Sequence, residues 1–250
     1  MVGIGSSVAI VTGAGQGNGA AIARGLAESG AAVALADINE AAVAAVAQDI
    51  VSAGGKAFAQ RLDVTDADAA QGFAKAACAA LGPAKLLVNN AGVIHRTPID
   101  EAAHPDDWAK VFAVNVDGTR HMARAFLEQL IETKGSIVNL GSIMSVTSGP
   151  GLTAYAASKG AVGQFTKALA AELAPKGVRV NALLPGVIAT PMTQATRDNP
   201  DAIARFLAHT PMGRVGEPEE LVGPILFLAS DAASYVTGAL LPVDGGYLTL

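Results

Sequence analysis

The chain has 250 residues, 51% hydrophobic and only 16% charged; this suffices for a large buried core and excludes a disordered or fibrous chain. Its net charge of −5, with scattered Lys and Arg, offers no basic field for nucleic acid, and its one cysteine, Cys78, has no thiol partner for a disulfide or a zinc site. The opening MVGIGSSVAIVTG lacks the basic and apolar segments of a leader, and no run approaches the roughly 18 apolar residues of a membrane span, so a cytoplasmic protein is expected. In chain order, VAIVT (8–12) reads as a buried strand, 17–29 as a helix and AVALAD (32–37) as a second strand. Asn39 caps the helix EAAVAAVAQDIVSA, KAFAQRLDV (56–64) is a third strand, and Asp66 or Asp68 starts the next helix. KLLVNN (85–90) follows as a strand, then a long helix from about 105 to 133, SIVNLGS (136–142) as a fifth strand, a helix over 153–175 and VRVNALLP (178–185) as a sixth. The stretch 186–215, with three prolines, reads as a mobile excursion; Glu217-Pro218 opens a helix, and ALLPVDGG (239–246) closes as a short seventh strand.

Apolar, non-alternating strands separated by helices imply a parallel sheet covered on both faces. No linker, repeat or low-complexity segment divides it. The expectation is one α/β domain over 1–250, Rossmann-type and doubly wound on a seven-stranded sheet, with a substrate-loop excursion at about 187–215.

The stretch TGAGQGNG (12–19) follows the first strand and opens a helix. Free backbone N–H groups and the positive end of a helix dipole suit a pyrophosphate, and Gly13, Gly17 and Gly19 let backbone approach it. Alone the pattern is weak. Asp37, ending the second strand, adds the acid that such folds place on the adenosine ribose. It would repel a 2′-phosphate, which favours NAD (NADH) over NADP.

Tyr155 and Lys159 stand one helical turn apart and share a face. Bringing a phenol from about 10 to about 7 takes roughly 4 kcal/mol, which a nearby ammonium and an oxidised nicotinamide ring can supply. Tyr155 then serves as general acid/base. Ser142 ends the fifth strand, at the crevice side of an open sheet, where a hydroxyl can bond the substrate oxygen.

With the glycine loop, these residues resemble the short-chain dehydrogenase/reductase family over essentially the whole chain. Its motifs stand here as TGAGQGNG, Asn89-Asn90-Ala91-Gly92, Asn115 in VFAVNVDGT, the set Ser142, Tyr155 and Lys159, Pro185-Gly186 in PGVIAT, and VDGG (243–246). The resemblance implies a catalytic set of Asn115, Ser142, Tyr155 and Lys159. Asn115 would hold a water that links Lys159 to solvent, and Lys159 would bond the nicotinamide ribose. Gly13, Gln16, Gly17, Asn18 and Gly19 would carry the pyrophosphate, with Asp37 and Ile38 at the ribose. Asp63 and Val64 would lie against adenine, Asn90, Ala91 and Gly92 along the adenosine ribose, and Pro185, Gly186, Ile188 and Thr190 around the carboxamide. Asn18 departs from the family's branched apolar residue, so altered cofactor affinity is expected.

The substrate lies in the variable parts. VIHRTPIDE (93–101) is similar to sugar-acid reductases of the gluconate 5-dehydrogenase and 2-deoxygluconate 3-dehydrogenase types, and TPMGRVGEPEE with the C-terminal SYVTGALLPVDGGY to polyol dehydrogenases of the galactitol type. The expected activity is interconversion of a secondary alcohol and a ketone on a small polyol, sugar or sugar acid. Arg96, Met144 and Leu152 are the candidate substrate residues; Arg96 reads equally as a solvated or interface arginine. Of the histidines, His95 and His209 fall in variable loops, His104 in a helix start and His121 on the long helix. A 3-oxoacyl thioester reductase is the alternative, opposed by Gln16 and Asp37; a non-catalytic NAD(H)-binding protein is a second, opposed by the complete catalytic set. No metal site is expected, and the family resemblance implies a homotetramer.

Overall fold

The computed structural model describes residues 4–250. Met1, Val2 and Gly3, which belong to the opening stretch and to the span read as one domain, lie outside them. In chain order the elements are β1 (Val8–Thr12), α1 (Gly17–Glu28), β2 (Ala32–Asp37), α2 (Glu40–Ser52), β3 (Lys56–Arg61), α3 (Ala67–Leu81) and β4 (Ala84–Asn89). Then come α4 (His104–Phe112), α5 (Thr119–Ala125), α6 (Leu127–Thr133), β5 (Ser136–Leu140), α7 (Thr153–Leu173) and β6 (Arg179–Pro185). The chain ends with α8 (Gln194–Arg197), α9 (Pro200–Ala208), α10 (Val222–Ala229) and β7 (Leu240–Val243).

The strands form one seven-stranded sheet in the order β3-β2-β1-β4-β5-β6-β7, and every pairing is parallel. Successive side chains of a strand face opposite ways, and in β1 both faces are apolar because both are covered. Ala9 and Val11 pack with Val33, Leu35, Ile22 and Leu26 under α1, α2 and α10. Val8 and Ile10 pack with Phe73, Met122, Leu130 and Leu173 under α3, α5, α6 and α7. The chain reverses direction across the sheet between β1 and β4, so a crevice opens beyond their carboxyl ends.

Side-chain caps place two helix starts as expected. Asn39 accepts the Ala42 N–H at 3.1 Å, and Asp66 accepts those of Asp68 and Ala69 at 3.0 and 2.9 Å. Three expectations need correction. The helix from 105 to 133 is not continuous: residues 113–118 form a π turn, and Phe126 leaves helical geometry between α5 and α6 (φ −97°, ψ 1°), its ring fully buried beside Phe73. A Cβ on Gly118 would lie 2.6 Å from Val64 Cγ2, so this turn can press against the loop after β3. The segment 186–215 holds two short helices, because Pro191 and Pro200 begin helical turns where a missing N–H does no harm. Ser142 lies beyond β5 and caps a 3₁₀ turn over Ile143–Ser145.

Candidate active site

The glycine loop is fixed from below by the strand next to it. Thr12 Oγ1 accepts the N–H groups of Asn90 and Ala91, both at 3.0 Å. Asn90 Nδ2 returns bonds to the carbonyls of Thr12 (2.9 Å) and Gly13 (3.0 Å). A Cβ on Gly13 would sit 2.9 Å from Ala91 Cα, and one on Gly19 would strike the Gly13 carbonyl and Asn90 Nδ2. The glycines are thus needed for packing as well as for ligand approach. Gln16 caps α1 without a side-chain hydrogen bond, so the first-turn N–H groups have no side-chain partner at the wall of the crevice.

That crevice has a volume of about 350 Å³, and Gly13, Gln16, Gly17 and Asn18 line one end of it. Asp37, Ile38, Asp63 and Val64 border the same end. The Asp37 carboxylate accepts Gly15 N–H at 2.8 Å and Asn39 N–H at 2.9 Å, which fixes it at the end of β2. Asp63 is held in a tight turn by Thr65 N–H and Oγ1 at 2.9 and 2.8 Å. Asn90, Ala91 and Gly92 also line the crevice, as do Pro185, Gly186, Ile188 and Thr190, and Thr190 comes up against the glycine loop, where a Cβ on Gly17 would lie 3.3 Å from it. Gly19 is buried beneath the loop rather than on the cavity. Val93, Val114, Met192 and Thr193 also line it and went unrecognised in the sequence. Gln16, Gly17 and Asn18 bring the start of α1 to its wall, and Asn18 Oδ1 is buried there with no partner. Both observations fit a bound dinucleotide.

Ser142, Tyr155 and Lys159 meet on the cavity. Ser142 Oγ accepts Met144 N–H at 3.1 Å and Ser142 N–H donates to Ser145 Oγ at 3.2 Å, so the 3₁₀ turn sets the hydroxyl. Lys159 Nζ donates to the Leu140 carbonyl at 2.6 Å and lies 5.8 Å from the Tyr155 ring centroid. Burial lowers the Lys159 ammonium to about 8. Burial also raises the Tyr155 phenol, while the Ser142 side chain and the Arg96 guanidinium pull it down. Desolvation outweighs those two groups at Tyr155, and the Lys159 ammonium is engaged by a backbone carbonyl.

Asn115 stands behind this set and does not line the cavity. Its Nδ2 donates to Ser158 Oγ (2.9 Å) and the Val93 carbonyl (3.0 Å), and its Oδ1 accepts Val93 N–H (2.8 Å). Ser158 Oγ in turn donates to the Tyr155 carbonyl at 2.7 Å. The Asn115 side chain is thus a brace between the segment after β4 and α7. Gly92 separates it from Lys159: a Cβ there would lie 3.2 Å from Asn115 Oδ1 and 3.5 Å from Lys159 Nζ. Neither Arg96, Met144 nor Leu152 lines the cavity. Arg96 is exposed and donates from Nη2 to Thr196 Oγ1 at 2.7 Å, Met144 is half-buried and Leu152 buried. Away from the cavity, His95 pairs with Asp107, His104 Nε2 is 2.8 Å from Thr153 Oγ1, His121 Nδ1 is 3.1 Å from the Val64 carbonyl, and His209 Nδ1 is 3.3 Å from the Arg205 carbonyl.

A family model described as enoyl-(acyl carrier protein) reductase matches residues 13–248. The chain belongs to the short-chain dehydrogenase/reductase family. Like its relatives in that family, it is an oxidoreductase that acts on alcohols with a nicotinamide cofactor. It is 50% identical to the galactitol 2-dehydrogenase (L-tagatose-forming) of Cereibacter sphaeroides, over 77% of each chain. It is 44% identical to the 2-dehydro-3-deoxy-D-gluconate 5-dehydrogenase of Pseudoalteromonas atlantica, over 74% of this chain and 73% of that one. A gluconate 5-dehydrogenase from Burkholderia cenocepacia, solved in complex with NADP and tartrate, superposes with a TM-score of 0.95 at 37% identity, over 100% of this chain and 98% of that one.

Proposed function

We propose that this enzyme interconverts a secondary alcohol and a ketone on a small polyol, sugar or sugar acid, with NAD as its cofactor. The observation that carries the reading is one crevice with Ser142, Tyr155 and Lys159 at one part and the Asp37 carboxylate at another. When bound, the nicotinamide accepts hydride in oxidation and donates it in reduction. Tyr155 takes the hydroxyl proton in oxidation and returns it in reduction. Ser142, set by its own turn, holds the substrate oxygen as charge develops on it. Lys159 orients the ribose and steadies the phenolate. The closeness of Gly92 to both Asn115 and Lys159 supports a proton path to solvent that runs between them.

Asp37 supports NAD because a fixed carboxylate there would face a 2′-phosphate with like charge. Arg96, near enough for its charge to act on Tyr155, supports a substrate with a carboxylate or several hydroxyls. Residues 1–250 are read as one catalytic domain. Trp108, stacked on Phe112 at 4.7 Å and 39% exposed, supports a homotetramer joined in part through α4. Among the described residues no helix is long and apolar enough to cross a membrane, which accords with the cytoplasm.

The test is the initial rate of NADH formation from galactitol, D-gluconate and simple secondary alcohols, with NADP in parallel and an acetoacetyl thioester as a reductive control. Turnover of galactitol or D-gluconate with NAD is expected, lost in Tyr155→Phe. Silence on these with turnover of the thioester would overturn the substrate reading.

A further inference from the structure

Beyond β4 the chain runs through residues 93–99 without a helix or a strand. Along it the partners change from residue to residue. Val93 is held at both its N–H and its carbonyl by Asn115. His95 Nδ1 lies 2.8 Å from Asp107 Oδ1, and Thr97 Oγ1 donates to Asp107 Oδ2 at 2.5 Å. Arg96, between them, is bound instead to Thr196 on α8. One carboxylate on α4 thus grips the two residues that flank Arg96.

We infer that Asp107 is a positioning residue for substrate recognition, latching His95 and Thr97 onto α4 so that Arg96 is presented to the mouth of the crevice. The inference rests on the reading of Arg96 as a substrate contact. An acid in a first helical turn ordinarily needs no partner beyond the helix dipole, and Asp106 already supplies one there. Asp107 differs in having both oxygens engaged and a side chain only 15% exposed. The Thr97 hydrogen bond holds its carboxyl below the usual range; burial opposes this, and His95, Lys110 and His104 add to it. At the other end of the relay, Ser142, Lys159 and Arg96 are the groups beside the Tyr155 phenol, so displacing Arg96 alters both substrate grip and the acid/base group.

Hydrogen exchange of residues 93–99 is measured first, since it needs no substrate. Asp107→Ala is expected to raise exchange in this segment, and Asp107→Asn, which still accepts from Thr97, to restore much of the protection. Kinetics with galactitol and D-gluconate follow. Arg96→Met is expected to raise KM about tenfold or more, as loss of a charge-assisted bond does, with a much smaller change in kcat at its pH plateau. Asp107→Ala is expected to raise KM several-fold and to move the acid limb of the oxidation profile upward, as Arg96→Met does. The double variant should match Arg96→Met alone, because Asp107 acts through Arg96. Unchanged exchange in Asp107→Ala, or additive KM effects, overturns the latch. A defect in Arg96→Met with none in Asp107→Ala overturns the positioning role alone. Unchanged KM in Arg96→Met overturns that role together with the Arg96 reading.

Discussion

Lys159 carries a charge in a place that disfavours it, and replacing it should strengthen the fold while ending catalysis. The side chain is 5% exposed, and burial lowers its ammonium from 10.5 to about 8. At neutral pH that difference disfavours the folded, charged state by about 3 kcal/mol. Lys159→Met keeps most of the stem, removes the charge and gives up one charge-assisted bond to the Leu140 carbonyl, worth about 2 kcal/mol. The variant should therefore be more stable at pH 7 by about 1 kcal/mol, or about 2–4 °C in Tm for a chain of this size. The sign of the pH dependence follows. Between about 8 and 10.5 the unfolded chain holds the Lys159 proton and the folded chain has lost it, so wild-type stability rises with pH through that window. The stability of the variant relative to wild type should fall by about 2 kcal/mol from pH 7 to pH 9.5 and so change sign. Urea unfolding of both proteins across that range is the assay. A variant less stable at pH 7, or a gap that does not change with pH, would refute the reasoning.

Asp37→Ala should lower the NAD-over-NADP ratio of kcat/KM by about tenfold or more, since a like charge is removed from beside the 2′-position; an unchanged ratio would show that Asp37 does not select the cofactor. Asn18→Ile removes a buried, unpartnered carbonyl oxygen, so stability should rise by about 1–2 kcal/mol and the NADH dissociation constant should shift. A Kd unchanged within error, read by titration of NADH fluorescence, would detach this side chain from the cofactor. Thr12→Val leaves the Asn90 and Ala91 N–H groups without their acceptor and should cost about 3 kcal/mol; a neutral effect in thermal unfolding would mean that Asn90 alone holds the loop. In Tyr155→Phe kcat should fall about 100-fold or more with NADH affinity retained, and retained turnover would remove Tyr155 from the acid/base role.

The strands were legible because burial on both faces leaves an uninterrupted apolar run, and the caps at Asn39 and Asp66 because their side chains act within three residues. The glycine-loop wall of the crevice was legible for a related reason: glycines that admit a neighbour's backbone, as Gly13 admits Ala91, stand out in any sequence. What escaped depends on partners distant in the chain. Thr12 is an ordinary strand residue until Asn90 and Ala91 arrive above it. Asp107 reads as a first-turn acid until His95 and Thr97 fold back on it. The prolines at 191 and 200 suggested a loop because a proline that starts a helix and one that forbids it look alike in sequence. The burial of Tyr155 was not legible, because spacing shows which charges are near, whereas the depth of packing that opposes the ionised phenol is set by residues distant in the chain.

The π turn at 113–118 has a consequence for the run of helix around it. An α-helix advances about 100° per residue, and one extra residue in a turn resets the angular phase of everything after it. Before the turn, α4 packs on α7; after it, α5 packs on α3. Asn115 sits within the phase change. The offset lies in the sequence: the wider turn takes up the extra residue, so removing one residue there would restore an unbroken helix with the stripe of Met122, Ala123, Phe126 and Leu130, now buried, still facing the core. Removing one residue at the start of α5 instead would turn that stripe by about a quarter of a revolution out of the core, although no side chain in the core had been altered.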